Sequence, residues 1–365
     1  MSGGAGASTP DDGAWMRHAL ALAARGWGRT APNPMVGAVV VRDGTVVGEG
    51  WHTAYGAAHA EVEALRSAGE RARGATLYVT LEPCDHHGQT PPCTEAILGA
   101  GIARVVAAIE DPTPMARGGA ERLRAEGVDV AIGSEASAAR ELNASFLHAV
   151  AMDRPFVRLK LALSLDGAIA DESRQPGWLS GHEARAEVHR LRAGSDAVAV
   201  GIGTVLADDP LLTVRGFAPP RVPPLRIVFD TSARLPLDCR LVRTARETPV
   251  LVVCWAPDPT HAVALEQAGV ELLHAASLPH AMRALRARGV TSLLLEGGAA
   301  LAASFIQEAL VDRLVIFRAP ILLGTGSLNA FGALPSSTIE GAPRWHLVEA
   351  RRLGDDEMTV YKPRD

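Results

Sequence analysis

The sequence is poor in cysteine, has no excess of basic residues and contains no apolar run long enough to cross a membrane. It has four cysteines, and Cys239 and Cys254 are isolated, so we predict no disulfide framework and a reducing, cytoplasmic location. The formal net charge of −5 counts against a protein that binds nucleic acid, because such proteins usually carry a basic surface. The first residues lack the basic and apolar regions of a signal peptide. We expect residues 1–11 to form a disordered lead-in.

The length of 365 residues exceeds what one hydrophobic core usually fills, so two domains are expected. The pattern of strands and helices restarts near Asp153, and a strongly apolar strand is predicted over residues 156–163. We therefore predict one domain over residues 12–152 and a second over residues 153–365.

A histidine and two cysteines in the first half, His59, Cys84 and Cys93, have the pattern of a catalytic zinc site. Three protein ligands leave the fourth tetrahedral position open for water, whereas structural zinc sites usually fill all four positions with side chains. The segment between the cysteines contains His86 and His87, which are alternative ligands. We prefer Cys93 because it opens a predicted helix, and a helix N-terminus favours the thiolate form that binds zinc.

Glu61 follows His59 by two residues, which makes it a poor ligand for the same metal but a good partner for a water molecule bound there. Zinc deaminases use a carboxylate of this kind to carry protons to the departing ammonia. A binding protein that is merely stabilised by zinc has no need of such a group. The motif therefore indicates a deaminase.

The first domain is predicted to be a sheet with helices on both faces. Asp11 or Asp12 is expected to cap the first helix, and Asp43-Gly44 is typical of a hairpin turn. Residues 137–149 are predicted to form one final helix. Asn33 stands between two prolines, and it either presents its amide to a ligand or simply forms the turn.

In the second half, short strands rich in Val, Leu and Ile alternate with helices, which predicts a mainly parallel sheet covered on both faces. Two Gly-containing turns follow predicted strands, at the sheet edge where open α/β sheets bind ligands. One is Glu296-Gly297-Gly298, before a helix whose free amides can hold phosphate. The other is the Gly201–Thr204 turn, with Asp208-Asp209-Pro210 after it. Both segments also fit plain connections, since no Gly-x-Gly-x-x-Gly fingerprint is present.

Several motifs together resemble those of the bifunctional riboflavin-biosynthesis deaminase/reductase family. They are Pro32-Asn33-Pro34 with Val36-Gly37, His59-Ala60-Glu61-Val62, Thr80-Leu81-Glu82-Pro83-Cys84, His86-His87-Gly88, Thr90-Pro91-Pro92-Cys93, Leu163-Ser164-Leu165-Asp166-Gly167 and Leu206-Ala207-Asp208-Asp209-Pro210. The resemblance runs from about Asp12 to the C-terminus. Its zinc-loop part, with the long spacing between the cysteines, is highly specific, and the reductase motifs are looser.

This resemblance implies an α/β protein with a cytidine-deaminase-like three-layer domain followed by a dihydrofolate-reductase-like domain. The first domain would remove the 2-amino group of 2,5-diamino-6-(5-phosphoribosylamino)pyrimidin-4(3H)-one by hydrolysis, using Zn²⁺. The second would use NADPH to reduce the ribosyl group to ribityl. The expected partners are this small phosphorylated substrate and further copies of the chain in a homo-oligomer, with no nucleic acid and no membrane.

The resemblance also implies roles for individual residues. His59, Cys84 and Cys93 match the zinc ligands, and Glu61 matches the proton carrier. Positions that match cofactor contacts are Leu163, Trp178, Thr204, Asp208, Thr231 and the segment beginning at Gly298. Positions that match substrate contacts are Pro176, Arg192, Leu212, Arg215 and Glu296. Pro176 departs from the serine that is common there, so it offers only backbone groups.

Three further interpretations stay open at the level of the sequence. Lys160 is a catalytic candidate, because a cation near the ribosyl C1 group would stabilise negative charge, but it is also compatible with a solvent-facing strand lysine. Arg192 and Arg215 fit phosphate partners or plain surface charges. Trp178 fits a nicotinamide neighbour or a core residue.

The main alternative function is a different zinc deaminase of nucleobases or nucleosides, fused to a domain without enzymatic activity. NADPH binding by the second half would distinguish the two.

Overall fold

The computed structural model describes residues 10–87, 91–174 and 177–364, and these residues form two structural units. The first unit ends at Ala151 and the second begins at Met152. Residues 1–9 of the predicted lead-in lie outside the described residues, and so does Pro176.

The first unit is built on a five-stranded sheet in the order β2-β1-β3-β4-β5. Its strands are β1 (Gly37–Arg42), β2 (Thr45–Trp51), β3 (Thr76–Val79), β4 (Arg104–Ala107) and β5 (Asp129–Ile132). Its α-helices are α1 (Pro10–Ala23), α2 (Ala60–Ala68), α3 (Cys93–Ala100), α4 (Gly119–Ala125), α5 (Ala136–Leu142) and α6 (Ala144–Ala151). β1 runs antiparallel to β2 and β3, whereas β3, β4 and β5 are parallel.

Alternate residues of β1 enter two different cores. Val40 belongs to a buried cluster with Ala64 of α2, and Val39 belongs to another cluster with Met16 and Leu22 of α1. Successive side chains of a strand point to opposite faces, so the sheet carries one apolar layer on each side. The result is the predicted sheet with helices on both faces.

The Asp43-Gly44 hairpin is confirmed. Arg42 pairs with Thr45, and the two residues between them have positive φ values of 50° and 71°, as a two-residue type I′ turn requires.

Two glycines of β2 allow α2 to lie directly on the sheet. A Cβ atom on Gly50 would lie 2.4 Å from the carbonyl oxygen of Ala60, and one on Gly48 would lie 2.3 Å from that of Ala64. Real Cβ atoms do not approach backbone so closely, hence any larger residue would push this helix away. These glycines therefore fix the helix that follows His59.

Two local predictions for this unit were wrong. Residues 137–149 form two helices, separated at Asn143, whose Oδ1 accepts a bond from Met35 N (2.8 Å) and whose Nδ2 donates to Met35 O (2.9 Å). Asp11 and Asp12 were the predicted caps of the first helix, but both lie inside α1, which begins at Pro10. The Asp12 carboxylate is fully buried and accepts hydrogen bonds from Tyr78 and Arg104. The positive charge of Arg104, on β4, balances the buried carboxylate.

The second unit contains a nine-stranded sheet in the order β11-β10-β9-β8-β12-β6-β13-β16-β15, and a two-stranded sheet of β7 and β14. The strands are β6 (Phe156–Leu163), β7 (Ala168–Ala170), β8 (Ala197–Gly201), β9 (Leu225–Phe229), β10 (Val250–Cys254), β11 (Glu271–His274), β12 (Ser292–Leu295), β13 (Arg313–Arg318), β14 (Leu328–Asn329), β15 (Trp345–Leu353) and β16 (Asp356–Pro363). The helices are α7 (His182–Ala193), α8 (Ile202–Asp208), α9 (Arg240–Arg243), α10 (Pro259–Gln267), α11 (Leu278–Ala287) and α12 (Ala299–Gln307).

In the order of the sheet, the seven strands β11, β10, β9, β8, β12, β6 and β13 are all parallel, as predicted. Strands β16 and β15 add an antiparallel hairpin at one end of the sheet. Leu159 and Leu161 of β6 lie in the main core with Phe305 of α12. Parallel strands place all their carboxyl ends at one edge, so the residues that follow β6, β8, β9 and β12 come together there.

The Gly201–Thr204 segment is not the turn expected from its glycines. β8 ends at Gly201, and helix α8 begins at once and includes both Thr204 and Asp208. The extended backbone of Gly201 caps this helix, which lets the strand pass into it without a loop. Among the described residues, no helix has both the length and the apolar character that a membrane crossing requires.

Candidate active sites

His59, Cys84 and Cys93 come together in the first unit. His59 caps α2, Cys84 lies in the loop after β3, and Cys93 is the first residue of α3. His59 Nδ1 is 3.2 Å from Cys93 Sγ and 3.6 Å from Cys84 Sγ, and the three donor atoms all lie within 4.8 Å of one another. One nitrogen and two sulfurs at this spacing fit a zinc ion, which prefers such ligands in tetrahedral geometry.

The two thiols share one proton in a manner that suits a cation site. A hydrogen bond from Cys93, together with His59, lowers the pKa of Cys84 to about 4, so Cys84 is a thiolate at neutral pH. The same bond and burial raise the pKa of Cys93, because two adjacent thiolates repel each other. A dication between the sulfurs removes this repulsion and favours both thiolates.

The alternative ligands His86 and His87 do not join this group. Among the described residues, the cluster that fits a metal consists of His59, Cys84 and Cys93. His87 is exposed, and its Nε2 lies 3.5 Å from Glu95 Oε1. His86 lines the adjoining cavity.

Glu61 lies in the first turn of α2, beside the three donors, and only 4% of its surface is exposed. Burial raises the pKa of this carboxyl group to about 7, against the opposing effect of His59. A carboxyl group that titrates near neutrality both accepts and donates protons readily.

A cavity of about 350 Å³ opens in front of this cluster, and His59, Glu61 and Cys84 line it together with Asn33 and His52. Asn33 also forms part of a turn, since its N–H donates to Thr30 O (2.9 Å), so the two interpretations of Asn33 are compatible.

His52 orients the Asn33 amide, a role to which nothing in the sequence pointed. His52 Nδ1 lies 3.1 Å from the Ala58 carbonyl oxygen, so this nitrogen carries the proton. Burial lowers the pKa of His52, which keeps the ring neutral, and its Nε2 is then an acceptor. Asn33 Nδ2, at 3.2 Å from Nε2, donates to it.

The loop that carries Cys84 is held by two acidic neighbours that sequence reasoning also missed. Glu82 is buried and accepts bonds from the N–H groups of Asp111, Gly118 and Ala120 at 3.0–3.2 Å. Asp85 accepts from Thr94 Oγ1 (2.7 Å) and Arg122 Nη1 (2.6 Å). An acidic residue on each side of the Pro-Cys pair was the available signal.

Gly119, the first residue of α4, lets the start of this helix approach the loop that carries Cys84. A Cβ atom at this position would lie 1.8 Å from the Pro83 carbonyl oxygen, directly before Cys84. Only glycine permits this approach without moving the loop.

In the second unit, most of the predicted cofactor residues lie at the carboxyl edge of the parallel sheet. Leu163 ends β6, Thr231 follows β9, and Gly298 caps α12 after β12. Thr204 and Gly298 face each other, since a Cβ atom on Gly298 would lie 3.5 Å from Thr204 Oγ1. Thr231 and Asp208 are exposed. The strands bring residues far apart in sequence to one accessible edge.

Trp178 is 78% exposed, so its interpretation as a core residue was wrong. The Arg185 guanidinium lies 5.1 Å from the centre of its ring. An exposed aromatic side chain is available for contact with a ligand.

Arg192 and Glu296 form a buried ion pair. Arg192 Nε and Nη2 donate to the two carboxylate oxygens at 2.5 and 2.9 Å, and Nη1 donates to Thr213 O at 2.9 Å. Burial alone would raise the pKa of Glu296, but Arg192 outweighs it, with help from Lys160 and His189, and lowers this pKa. Arg192 is therefore not a plain surface charge.

The neighbouring segment contains two more predicted substrate residues, Leu212 and Arg215. Leu212 is buried with a positive φ of 55°, and Arg215 is exposed. The backbone N–H of Arg215 donates to His189 Nδ1 of α7 at 3.1 Å.

Lys160 is half-buried on β6 and does not face bulk solvent. Burial lowers the pKa of its ammonium group, although Glu296 and Asp208 oppose this effect. Its Nζ lies 5.9 Å from the centre of the Phe317 ring. Lys160 thus belongs to the same charged group as the ion pair.

Comparison with known proteins shows similarity along nearly the whole chain. Residues 9–109 match the family of the cytidine and deoxycytidylate deaminase zinc-binding region, and residues 155–359 match the RibD C-terminal domain. The riboflavin biosynthesis protein RibD of Aquifex aeolicus is 41% identical over 351 residues, which are 95% of this chain and 97% of that protein.

Two solved structures agree with the fold. Acinetobacter baumannii RibD has a TM-score of 0.84 and 39% identity, over 97% of this chain and 99% of that one. A diaminohydroxyphosphoribosylaminopyrimidine deaminase/5-amino-6-(5-phosphoribosylamino)uracil reductase from Thermotoga maritima has a TM-score of 0.83 and 35% identity, over 96% and 98%.

These matches confirm the predicted deaminase-like and reductase domains, and they favour a reductase over a second half without enzymatic activity. The chain belongs to the RibD family, the bifunctional deaminases and reductases of riboflavin biosynthesis.

Proposed function

We propose that the first domain hydrolyses the 2-amino group of 2,5-diamino-6-(5-phosphoribosylamino)pyrimidin-4(3H)-one, and that the second reduces the ribosyl group of the product with NADPH. The observation that carries the proposal is the placement of Glu61 beside the donor atoms of His59, Cys84 and Cys93, in a cavity of the size of a small ligand. The similar protein of Thermotoga maritima is named for the same two activities.

In the deaminase, His59, Cys84 and Cys93 hold zinc, which supplies Lewis-acid activation of a water molecule when bound. Glu61 takes a proton from the attacking water as its oxygen bonds to the pyrimidine C2. The same carboxyl group then gives this proton to the amino nitrogen, and the C2–N bond breaks to release ammonia. The pKa of Glu61, raised by burial to about 7, suits both transfers.

Asn33 orients the pyrimidine in this cavity. One N–H of its amide nitrogen donates to His52, which orients the amide, and its carbonyl oxygen accepts a bond from an amino or N–H group of the ring. A fixed acceptor of this kind selects one orientation of the substrate.

In the reductase, Leu163, Trp178, Thr204, Asp208, Thr231 and the segment beginning at Gly298 bind NADPH, which donates the hydride. The helix start at Gly298 offers backbone amides for a phosphate group. Lys160 polarises the ribosyl C1 group as the hydride arrives, because its ammonium lies within the charged group at this edge.

The substrate of the reductase contacts Arg192, Leu212, Arg215 and Glu296, together with the backbone at Pro176. Glu296 is held in place by Arg192 and suits the hydroxyl groups of the sugar. Arg215 is exposed and suits the phosphate.

We further propose that the protein acts in the cytoplasm on small molecules and not on nucleic acid, and that copies of the chain form a homo-oligomer. The sheet of the second domain ends at β15, whose outer edge offers backbone groups for pairing with another copy. Light scattering after size-exclusion chromatography tests the oligomeric state.

The decisive experiment is to give purified protein the diaminopyrimidine substrate and to measure ammonia release and NADPH consumption together. We expect both, with ammonia first. NADH in place of NADPH serves as the control for cofactor identity. Ammonia release without reduction would refute the second half of the proposal.

A further inference from the structure

Two loops that leave neighbouring strands are joined to each other at the carboxyl edge of the reductase sheet. β6 and β13 are parallel, and Leu163 pairs with Arg318 at their ends. Beyond them, Ala319 N donates to Leu163 O and Leu165 N donates to Ile321 O, both at 2.8 Å. β7 and β14 then pair as a separate two-stranded sheet. We call residues 164–170 and 319–330 together the edge flap.

The Asp166 carboxylate links the two halves of the edge flap. It accepts a bond from Gly324 N at 2.7 Å and from Leu323 N at 3.2 Å, both on the second loop. Within its own loop it accepts from Ser164 Oγ at 2.5 Å. One carboxylate therefore binds backbone groups that lie more than 150 residues away from it in sequence.

These bonds persist although Asp166 is exposed. The hydroxyl of Ser164 and then the N–H groups of Gly324 and Leu323 lower the pKa of Asp166 to about 2. The carboxylate is consequently ionised throughout the neutral range, where bonds to a charged acceptor are stronger than those to a neutral one.

The edge flap carries exposed apolar side chains and directly follows one predicted cofactor residue in sequence. Leu165 is 54% exposed and Leu322 is 72% exposed. The backbone N–H of Leu165 donates to the carbonyl oxygen of Ile321, the residue before Leu322. Leu163, a predicted cofactor contact, directly precedes the first of these loops. Exposed apolar side chains at a sheet edge that binds ligands suit the flat ring of a pyridine nucleotide.

We propose that Asp166 is a positioning residue of the reductase, and that it holds Leu165 and Leu322 as one wall of the NADPH site. The inference rests on the proposed function, since it requires NADPH to bind at this edge. Asp166 itself need not contact the cofactor. By holding the two loops in place before the nucleotide binds, it reduces the conformational entropy that is lost on binding.

The test compares Asp166→Asn with a matched control, Asp171→Asn, in the full-length zinc-loaded protein. Asp171 accepts bonds from Ser173 N (2.9 Å) and Ser173 Oγ (2.7 Å) within one short turn, so its loss breaks a local turn. NADPH affinity is measured by calorimetry, and amide hydrogen exchange is measured without cofactor. Deamination by the same sample shows that the first domain is intact.

For Asp166→Asn we expect the Kd for NADPH to rise about 10-fold, because charged hydrogen bonds across the flap are lost. Exchange at Leu323 and Gly324 should become faster, and deamination should not change. Asp171→Asn should leave the Kd and these two amides unchanged, and Asp166→Glu should restore part of the affinity.

Three results would overturn the inference. One is an unchanged Kd with unchanged exchange. Another is a higher Kd with unchanged exchange at Leu323 and Gly324, which would make Asp166 a direct contact of the cofactor. The third is unmodified protein that does not bind NADPH, which would refute the proposed function as well. If Asp166→Asn does not fold, Ser164→Ala removes the hydroxyl donor to Asp166 and should raise the Kd about 3-fold.

Discussion

The guanidinium of Arg192, on α7, forms a bidentate ion pair with the carboxylate of Glu296, which follows β12 at the carboxyl edge of the reductase sheet. The side chains are only 11% and 12% exposed. Arg192 also donates to Thr213 O, so this pair ties a helix, a strand end and the loop that contains Leu212 to one point. These three hydrogen bonds hold the Glu296 carboxylate in a fixed position before the substrate binds.

We predict that Arg192→Met lowers the stability of the reductase domain by about 3–5 kcal/mol, because the largely buried Glu296 carboxylate loses the two hydrogen bonds that Arg192 donates to it. Chemical denaturation measures this loss. The exposed pair of Arg288 and Glu271, at 2.8 Å in the same domain, is the control, and Arg288→Met should cost less than about 1 kcal/mol. Equal costs for the two variants would contradict a special role of the buried pair.

We predict about one tightly bound zinc ion per chain, which is lost when Cys84 or Cys93 is replaced by Ala, because two ligands hold the ion too weakly. Metal analysis after dialysis gives the stoichiometry. His86→Ala and His87→Ala are the controls and should keep their zinc. Full zinc in Cys93→Ala, with loss in either histidine variant, would mean that the third ligand has been misassigned.

Glu61→Gln keeps the shape of the side chain but cannot carry the proton. Deamination should therefore fall about 100- to 10,000-fold while zinc stays bound, as an ammonia assay and metal analysis can show. Ammonia release at the unmodified rate would remove Glu61 from the mechanism.

The two activities should be separable by single substitutions. Glu61→Gln, given the deaminated aminouracil, should oxidise NADPH near the unmodified rate, since all proposed reductase residues lie beyond residue 152. Lys160→Ala should lose this oxidation while still releasing ammonia from the first substrate. Failure of folded, zinc-loaded Glu61→Gln on the deaminated substrate would indicate one shared active site.

Gly119→Ala should weaken deamination more than 10-fold and destabilise the first domain by about 1–3 kcal/mol, because its methyl group would collide with the Pro83 carbonyl. Thermal unfolding and the ammonia assay measure the two effects. Gly99→Ala is the control, since a Cβ atom on Gly99 meets nothing within 4 Å and α3 gains a better helix former. If both variants behave alike, the close approach at Gly119 has no bearing on Cys84.

Several elements were predictable because their signals are local. The Asp43-Gly44 turn depends on two residues that tolerate positive φ, and the start of α3 at Cys93 depends on the proline before it. Strand β6 was predicted with its observed ends, 156–163, since a buried parallel strand is mainly apolar, and Arg158 and Lys160 are the exceptions in this one.

Errors arose where a distant residue changed the meaning of a local one. Asn143 ends a helix because the backbone of Met35, 108 residues away, uses both groups of its amide. Aspartate is a common helix-capping residue, yet Asp12 is buried and accepts hydrogen bonds from Tyr78 and Arg104. Trp178 was open to interpretation as core, because sequence does not report exposure.

Residue types and their spacing were enough to predict the family, the parallel sheet of the second half and the grouping of His59, Cys84 and Cys93, because donor type and spacing constrain what a metal site can do. The surroundings of these groups depend on the folded chain. His52 orients Asn33, Gly119 admits the loop beside Cys84, and Asp166 joins two loops of the reductase, each through contacts between segments that only the folded sheets bring together. Hydrogen bonds of this kind depend on distance in space, which residue spacing along the chain does not encode.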